Sequence, residues 1–230
     1  MVASTAVVTG GTRGIGLAVV TGLARLGTTV VAVGRDAGRA DQVATALVGQ
    51  GLDVVGAACD VADPLAVQEL AVRLGDLGAP DLLVCSAGVM GGARTIRTEP
   101  EEWQRVVGTN LTGVYAATRT FGAPMLARRS GRIVVLSACL GRMSGPGTNG
   151  GLAPYRVSKA AVNALVKNLA AEARGVSVDA VCPGHCRTDM GGGDAPRSAE
   201  EGADTVLWLA TRDEDGPTGL LWEDRQPVPW

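Results

Sequence analysis

Aromatic residues are scarce in this chain. Four tryptophans, two tyrosines and one phenylalanine make up 3% of its 230 residues, against 33 glycines. The interior therefore has to be built mainly from alanine, valine and leucine, which favours helices and strands that approach one another closely.

Strong charge and long apolar runs are also missing. A formal net charge of −2 offers no basic footprint for nucleic acid and no polybasic patch for anionic lipid. No run reaches the roughly 18 apolar residues of a membrane span, and the first residues lack the basic start and apolar stretch of a signal peptide. We expect a cytoplasmic protein whose partner is a small molecule, with no nucleic acid and no membrane.

The five cysteines are an odd number scattered through apolar runs, which does not suit a disulfide framework. We expect reduced core residues: Cys59, Cys85, Cys139, Cys182 and Cys186. The single histidine, His185, follows Cys182 closely, but there is no fourth ligand nearby and no standard zinc spacing. We expect no metal, and interpret His185 as a structural or surface residue, with a substrate contact or a supplementary acid near neutral pH as the alternatives.

Short apolar runs rich in β-branched residues alternate with segments of helical periodicity. Because the runs are continuously apolar, they are typical of strands buried on both faces of a parallel sheet. The predicted strands are residues 5–9, 29–33, 54–58, 82–85, 132–137 and 176–182, and the predicted helices are residues 14–26, 37–48, 64–74, 101–127 and 153–173. This order predicts an α/β fold with a doubly wound parallel sheet in three layers, as one domain over residues 1–230.

Two segments rich in glycine, residues 141–151 and 191–197, follow strands and read as loops. We expect both at the carboxyl edge of the sheet, where such folds place their ligands. In the tail from 213 to 230, residues 219–222 form a possible last edge strand, since the closing prolines argue against a central position.

A glycine-rich turn follows the first predicted strand and leads directly into a helix. Gly10, Gly14 and Gly16 stand at the spacing Gly-x-x-x-Gly-x-Gly. Glycines there permit a tight turn, the approach of the backbone to a pyrophosphate and close packing of helix on strand. The sequence therefore predicts a dinucleotide site.

With Thr9 before it, this turn resembles that of the short-chain dehydrogenase/reductase family. Similar motifs follow in order: Cys59-Asp60-Val61, Cys85-Ser86-Ala87-Gly88, Asn110-Leu111-Thr112-Gly113, Tyr155-x-x-x-Lys159, and Pro183-Gly184 with Thr188. The resemblance implies a cofactor half at about 1–90 and a catalytic and substrate half at about 91–230. It also implies these cofactor-binding residues: Gly10, Thr12, Arg13, Gly14, Ile15, Gly16, Arg35, Asp60, Val61, Ser86, Ala87, Gly88, Tyr155, Lys159, Pro183, Gly184 and Thr188. The tail and the long loop before Tyr155 resemble the carbonyl-reductase branch, whose members include monomers, while the family at large implies a possible homo-oligomer.

Charge around the turn favours NADP(H). The second strand ends at Gly34-Arg35 with no acid to bind a ribose diol, and Arg13 lies inside the turn. Two guanidinium groups suit a 2′-phosphate through charge-assisted bonds. The acidic Asp36, which follows Arg35, is evidence against a preference for NADP(H).

Tyr155 and Lys159 are four residues apart in a predicted helix and share one face. A nearby ammonium favours the phenolate form of a tyrosine, so we expect Lys159 to ease proton transfer at Tyr155. The resemblance implies that Tyr155 protonates the carbonyl oxygen, that Lys159 also holds the nicotinamide ribose, and that Asn110 anchors a water.

The chain departs from the family at the end of the fifth predicted strand. The family carries its catalytic serine where this chain has Ala138, with Ser137 just before it. Such a donor is worth about a hundredfold or more in rate. Neighbouring strand residues face opposite sides, so three options stay open: Ser137 turns inward and serves as the catalytic serine, Ser144 substitutes, or the chemistry is slow or different.

The sequence as a whole predicts an enzyme that uses NADPH to reduce a ketone or aldehyde to an alcohol. The substrate is expected to be largely apolar. One rival keeps the cofactor site but performs a non-redox or coupled cyclisation or isomerisation. Another is a dinucleotide-sensing binding protein without turnover, against which the joint presence of Tyr155, Lys159 and Asn110 argues.

Overall fold

A computed structural model describes residues 3–92, 94–144, 150–212 and 216–230. Within them, eight strands form one continuous sheet in the order β3-β2-β1-β4-β5-β6-β7-β8. The strands are β1 (Thr5–Thr9), β2 (Thr29–Gly34), β3 (Val54–Ala58), β4 (Leu82–Cys85), β5 (Arg132–Leu136), β6 (Ser177–Val181), β7 (Leu221–Glu223) and β8 (Gln226–Val228). All neighbours are parallel except β8, which runs antiparallel to β7.

Helices connect the strands and cover both faces of the sheet. They are α1 (Gly14–Arg25), α2 (Ala37–Val48), α3 (Pro64–Leu74), α4 (Pro100–Val107), α5 (Gly113–Arg128), α6 (Ala153–Glu172) and α7 (Ala199–Thr211). A π-helical turn, Gly108–Thr112, joins α4 to α5. No helix in the described part of the chain is long and apolar enough to cross a membrane.

Side chains of each strand alternate between the two helical layers. On one face Val7, Ile133 and their equivalents pack with α3, α5 and α6. On the other face Val8, Val134 and their equivalents pack with α1, α2 and α7. Both faces are covered, which explains why the strands read as uninterrupted apolar runs and confirms the doubly wound prediction.

The chain reverses its direction of travel across the sheet between β1 and β4. From β1 it moves outward to β2 and β3, and then returns to lay β4 against the other side of β1, pairing Thr9 with Cys85. The loops after these two strands part at the carboxyl edge and leave a crevice, the place where open α/β sheets bind ligands.

The structure differs from the sequence prediction at three elements. The edge strand is β8, with Pro227 in it, whereas β7 pairs on both sides. The helix predicted over residues 101–127 is interrupted by the π-helical turn. The helix α7 was missed, although its Ser198 and Glu201 form a capping box, a local start signal that the sequence shows.

Candidate active site

The glycine turn forms a cradle with no room for side chains. Gly10 has φ +68°, and a Cβ there would lie 2.7 Å from the Cα of Ala87. A Cβ on Gly16 would lie 2.1 Å from the carbonyl oxygen of Gly10. The side chain of Arg13 does not cap α1, so the first N–H groups of this helix suit a pyrophosphate.

The remaining turn residues line the same cradle. Thr12 is buried, and a Cβ on Gly34 would lie 2.6 Å from its hydroxyl oxygen. This contact brings the end of β2, and with it the exposed Arg35, beside the turn. Ile15 is half-buried at the start of α1.

The charged residues near the end of β2 include Arg39, in addition to the expected Arg13 and Arg35. The Asp36 carboxylate caps α2 by accepting a hydrogen bond from the Arg39 N–H at 2.7 Å, so it has a structural task. The Arg39 guanidinium donates to the carbonyl oxygen of Thr12 at 3.1 Å, a contact that sequence reasoning missed. Arg13 is exposed and pairs with Asp189 at 3.1 Å.

Two strand ends supply the next wall. Ser86 N–H donates to Thr9 O at 3.0 Å, and Ala87 N–H lies 3.4 Å from the Thr9 hydroxyl oxygen. A Cβ on Gly88 would lie 3.9 Å from the Lys159 Nζ, so the end of β4 reaches the proton-transfer residues.

After β3, the exposed Asp60 accepts the N–H of Ala62 at 3.0 Å. Val61 is buried against Gly113, where a Cβ would lie 2.8 Å from its Cγ2. Both residues stand at the carboxyl edge of the sheet.

The loop after β6 lies against the glycine turn and the end of β4. Gly184, after Pro183, has φ +74°, and the Thr188 methyl group would lie 3.1 Å from a Cβ on Gly14. Met190, another missed residue, reaches within 3.9 Å of a Cβ on Gly88. The exposed His185 lies with its Nε2 2.7 Å from Gly191 O, which supports the structural interpretation of this residue.

Asn110 lies in the π-helical turn and is fully buried. Its amide holds Val89 through two hydrogen bonds, of 2.8 and 2.9 Å, and donates to the Ser158 hydroxyl at 3.0 Å. The Ser158 hydroxyl in turn donates to Tyr155 O at 2.8 Å. Asn110 therefore ties the segment after β4 to α6 at the level of Tyr155.

Tyr155 and Lys159 are both buried on one face of α6. The Lys159 ammonium donates to Leu136 O at 2.7 Å and lies 5.8 Å from the centre of the Tyr155 ring. A Cβ on Gly141 would lie 2.6 Å from the Lys159 carbonyl carbon, so the loop after β5 is pressed against the same turn of helix.

Burial controls the pKa values of both groups. It raises the pKa of Tyr155 above its usual value, with smaller contributions from Cys182 and Cys139. It lowers the pKa of Lys159 to about 8, partly offset by Cys85. Any effect of Lys159 in favour of the Tyr155 phenolate is outweighed here by burial, which is the largest cause of the shift. Tyr155 therefore keeps its proton, the form that an acid requires.

Ser137 does not face this pair. Its hydroxyl donates to the Asn163 Oδ1 at 2.5 Å, and Asn163 also donates to Gly141 O. Ala138 instead belongs to the apolar cluster around Tyr155. The position of the family's serine is thus a methyl group beside Tyr155, and the option that Ser137 turns inward does not fit its contacts.

Ser144, the other proposed substitute, is exposed. Residues 145–149 of the loop predicted over 141–151 lie outside the described residues, as do residues 213–215 of the tail.

The apolar cluster defines the surroundings of the Tyr155 ring. Its buried members are Val106, Ala138 and Tyr155, and the partly buried side chains packed on it are Val89, Met90, Leu140 and Leu152.

Comparison with known proteins agrees with this geometry. A family model described as short chain dehydrogenase matches residues 4–199. The chain belongs to the short-chain dehydrogenase/reductase family. It is an oxidoreductase with the Rossmann fold of that family.

Several of its relatives in this family are ketoreductases. The chain is 40% identical over 190 residues to a Streptomyces violaceoruber protein named as ketoacyl reductase 1 of the granaticin polyketide synthase, covering 80% of this chain and 68% of that protein. It is 36% identical over 194 residues to the 3-oxoacyl-acyl-carrier-protein reductase of Synechocystis, covering 83% and 77%. A single-residue variant of actinorhodin polyketide ketoreductase, solved with NADPH, superposes with a TM-score of 0.87 at 29% identity, covering 96% and 95%.

Proposed function

We propose that this short-chain dehydrogenase/reductase reduces a ketone to an alcohol with NADPH, and that Tyr155 donates the proton. The observation that carries the proposal is the burial of Tyr155 and Lys159 on one face of α6, next to the strand end that borders the glycine cradle. The carbonyl-reductase-like specificity stays part of the proposal.

The cradle fits a dinucleotide in size and in charge. Gly10, Gly14 and Gly16 leave space for phosphate groups, and the uncapped start of α1 offers N–H donors. Arg35 and Arg39 supply the positive charge that a 2′-phosphate needs. Thr12, Arg13, Ile15, Asp60, Val61, Ser86, Ala87, Gly88, Pro183, Gly184 and Thr188 would complete this site. When bound, NADPH supplies the hydride.

The protein's own residues then handle the oxygen of the substrate. The neutral Tyr155 hydroxyl donates its proton to the developing alkoxide, since burial keeps that proton in place. Lys159 lies one helical turn away and, with a pKa of about 8, can restore a proton near neutral pH. Asn110 holds α6 against the segment after β4 and so keeps Tyr155 in position.

The walls of the site favour an apolar substrate. The side chains around Tyr155 are aliphatic or thioether groups, which suit an acyl chain next to a keto group. Only nine residues separate Thr188 from Ser198, a short loop that leaves the mouth open to an extended substrate. A β-ketoacyl compound fits both features, and the names of the relatives point the same way.

Steady-state reduction of β-ketoesters tests the proposal. We expect NADPH consumption, preferred over NADH, with the alcohol as product, and a loss of about a hundredfold or more in kcat for Tyr155→Phe. Binding of NADPH should persist in that variant. Retention of full activity in Tyr155→Phe would contradict the mechanism.

The same assay separates the rival functions. Product formation without net NADPH oxidation would indicate cyclisation or isomerisation, which the methyl group of Ala138 would tolerate. NADPH binding without turnover of any carbonyl compound would indicate a sensor.

A further inference from the structure

One pair of cysteines stands apart from the other thiols of the chain. Of the five cysteines, Cys139 alone is partly exposed, and the other four are buried. The backbone N–H of Cys139 donates to the sulfur of Cys182 at 3.0 Å. All five are free thiols, as expected, and Cys139 packs against the core while staying partly exposed.

The backbone brings this pair within the reach of a disulfide. β5 and β6 are neighbouring parallel strands, and Ser137 N–H donates to Val181 O at 2.7 Å just before the two cysteines. With the Cys139 nitrogen 3.0 Å from the Cys182 sulfur, ordinary bond lengths keep the two Cα atoms within about 7 Å, close to the range that disulfides span. The sheet fixes this approach.

The surroundings of the pair activate the outer thiol. The Cys182 thiol donates to the Glu223 Oε1 at 3.5 Å. Its hydrogen bond to Cys139 lowers the pKa of Cys139, and Arg142 lowers it further, against the opposing effects of burial and of Glu223. Burial and the same hydrogen bond raise the pKa of Cys182. Thiolate character and exposure are the properties that make a cysteine react with oxidants.

We propose that Cys139 and Cys182 form a reversible oxidation site, at which hydrogen peroxide closes a disulfide beside Tyr155. The Cys139 thiolate attacks one peroxide oxygen and the O–O bond breaks. The released hydroxide takes up a proton and leaves as water, and Cys139 is now a sulfenic acid. The Cys182 sulfur then attacks the Cys139 sulfur, its proton goes to the departing oxygen, and a second water leaves. Each sulfur loses one electron and the peroxide gains two.

The cross-link would act directly on the candidate active site. Cys139 stands between Ala138, a member of the apolar cluster that contains Tyr155, and Leu140, which packs against that cluster. A disulfide draws Cys139 toward Cys182, and this shifts Ala138 and Leu140 relative to the Tyr155 hydroxyl. This consequence rests on the proposed function, whereas formation of the bond does not.

Non-reducing peptide mapping of the full chain tests the site. After treatment with hydrogen peroxide, trypsin should release peptide 133–142, which contains Cys139, joined to peptide 175–187, with the mass of two hydrogen atoms lost and the link reversed by dithiothreitol. Peptide 175–187 contains both Cys182 and Cys186. The link should therefore persist in Cys186→Ala and vanish in Cys182→Ala and Cys139→Ala.

Each outcome decides the proposal. Oxidation of Cys139 to sulfinic acid without a link, or loss of the link in Cys186→Ala, would overturn it. Should Cys182→Ala not fold, Cys139→Ala and Cys186→Ala still separate the two partners. In the reductase assay, oxidation should reduce the rate about tenfold or more in the wild type and leave Cys139→Ala unaffected, and a cross-linked protein with full activity would refute the effect on Tyr155. An enzyme inactive before oxidation would instead contradict the proposed function and leave the mapping result standing.

Discussion

At the scale of single residues, the methyl group of Ala138 decides how good a reductase this chain can be. It packs beside Tyr155 where its relatives' family carries a hydroxyl, and Ser137 turns to Asn163 instead. In the proposed mechanism, direct donation to the substrate oxygen is therefore left to Tyr155. The direction of Ser137 follows from alternation, because Ile133 and Val135 face α5 and α6. Its partner Asn163 lies 26 residues further on and could not be read from the strand.

Restoring the hydroxyl with Ala138→Ser should raise kcat on a β-ketoester. A second preorganised donor at the developing oxyanion is worth about a hundredfold or more when its geometry is right. The measurement is NADPH consumption at saturating substrate, and Ser137→Ala is the matched control, expected to leave kcat within about twofold. An unchanged kcat in Ala138→Ser, or a collapse in Ser137→Ala, would contradict this assignment.

The buried ammonium of Lys159 should cost stability. Its pKa of about 8, against 10.5 for the free side chain, means that this lysine binds more protons in the unfolded chain between these values, so its own contribution to the free energy of unfolding rises with pH across that window. The raised pKa values of Cys59, Cys85, Cys182 and Tyr155 act in the opposite direction. Lys159→Met should raise the unfolding free energy above the wild-type value by about 1 to 3 kcal/mol at pH 7, and this difference should shrink toward zero by about pH 10. Urea unfolding without cofactor at pH 7, 8.5 and 10 measures both effects.

Lys167→Met is the control, since Lys167 is the only other lysine and is exposed on the same helix. Its unfolding free energy should stay close to that of the wild type at each of these pH values. A Lys159→Met protein with the wild-type pH profile would show that the ammonium is not destabilised by burial.

At the scale of elements, local patterns were readable and contacts between distant elements were not. The glycine turn, the strands β1 to β6 and the helix α6 follow from runs and periodicities within short windows. The break in the helix predicted over residues 101–127 was not readable, because Gly113 N–H bonds to Gly108 O five residues back and no residue type encodes that step. The approach of Cys139 to Cys182 depends on the pairing of β5 with β6 and needs the folded sheet.

The cradle is the element whose geometry is most restrictive. In Gly16→Ala the new Cβ would meet the Gly10 carbonyl oxygen at 2.1 Å, so the turn has to open and move its N–H groups. We expect the Kd for NADPH to rise about 100-fold or more, equivalent to roughly 3 kcal/mol, as measured by titration of nicotinamide fluorescence on protein shown to be folded by circular dichroism. Gly193→Ala is the control, because a Cβ there meets nothing within 4 Å. Wild-type affinity in Gly16→Ala would remove the turn from the cofactor site.

At the scale of the whole molecule, the comparisons confirm the family and the fold, while the roles of the site residues and the division into two functional halves stay predictions. The family motifs were visible because each is short and local. The Arg39 contact with Thr12, and Met190 above Gly88, close the site from segments far apart in sequence. Such contacts can be identified only from the folded structure, in which the loops lie together at one edge of the sheet.

A buried salt bridge links the end of α7 to β6. The Arg212 guanidinium pairs with Asp179 of β6 at 2.8 Å and stacks near Trp208 and Trp222. Asp179 also accepts hydrogen bonds from the Trp222 ring N–H and the Leu220 N–H. Removing one partner of such a pair leaves an uncompensated buried charge.

Arg212→Met should therefore lower the unfolding free energy by about 3 kcal/mol or more at pH 7. Burial already raises the pKa of Asp179, and loss of the cation raises it further. The folded variant then holds a proton that the unfolded chain releases, so its stability falls as pH rises from about 4. The deficit against the wild type should shrink in acid and in the double variant with Asp179→Asn. Urea unfolding from pH 4.5 to 8 measures this, with the exposed pair member Arg225→Met as a control expected to change little. If the loss of unfolding free energy in Arg212→Met does not depend on pH, its cause is the lost packing of Arg212 against the two tryptophans. The unpaired Asp179 carboxylate is then not the cause.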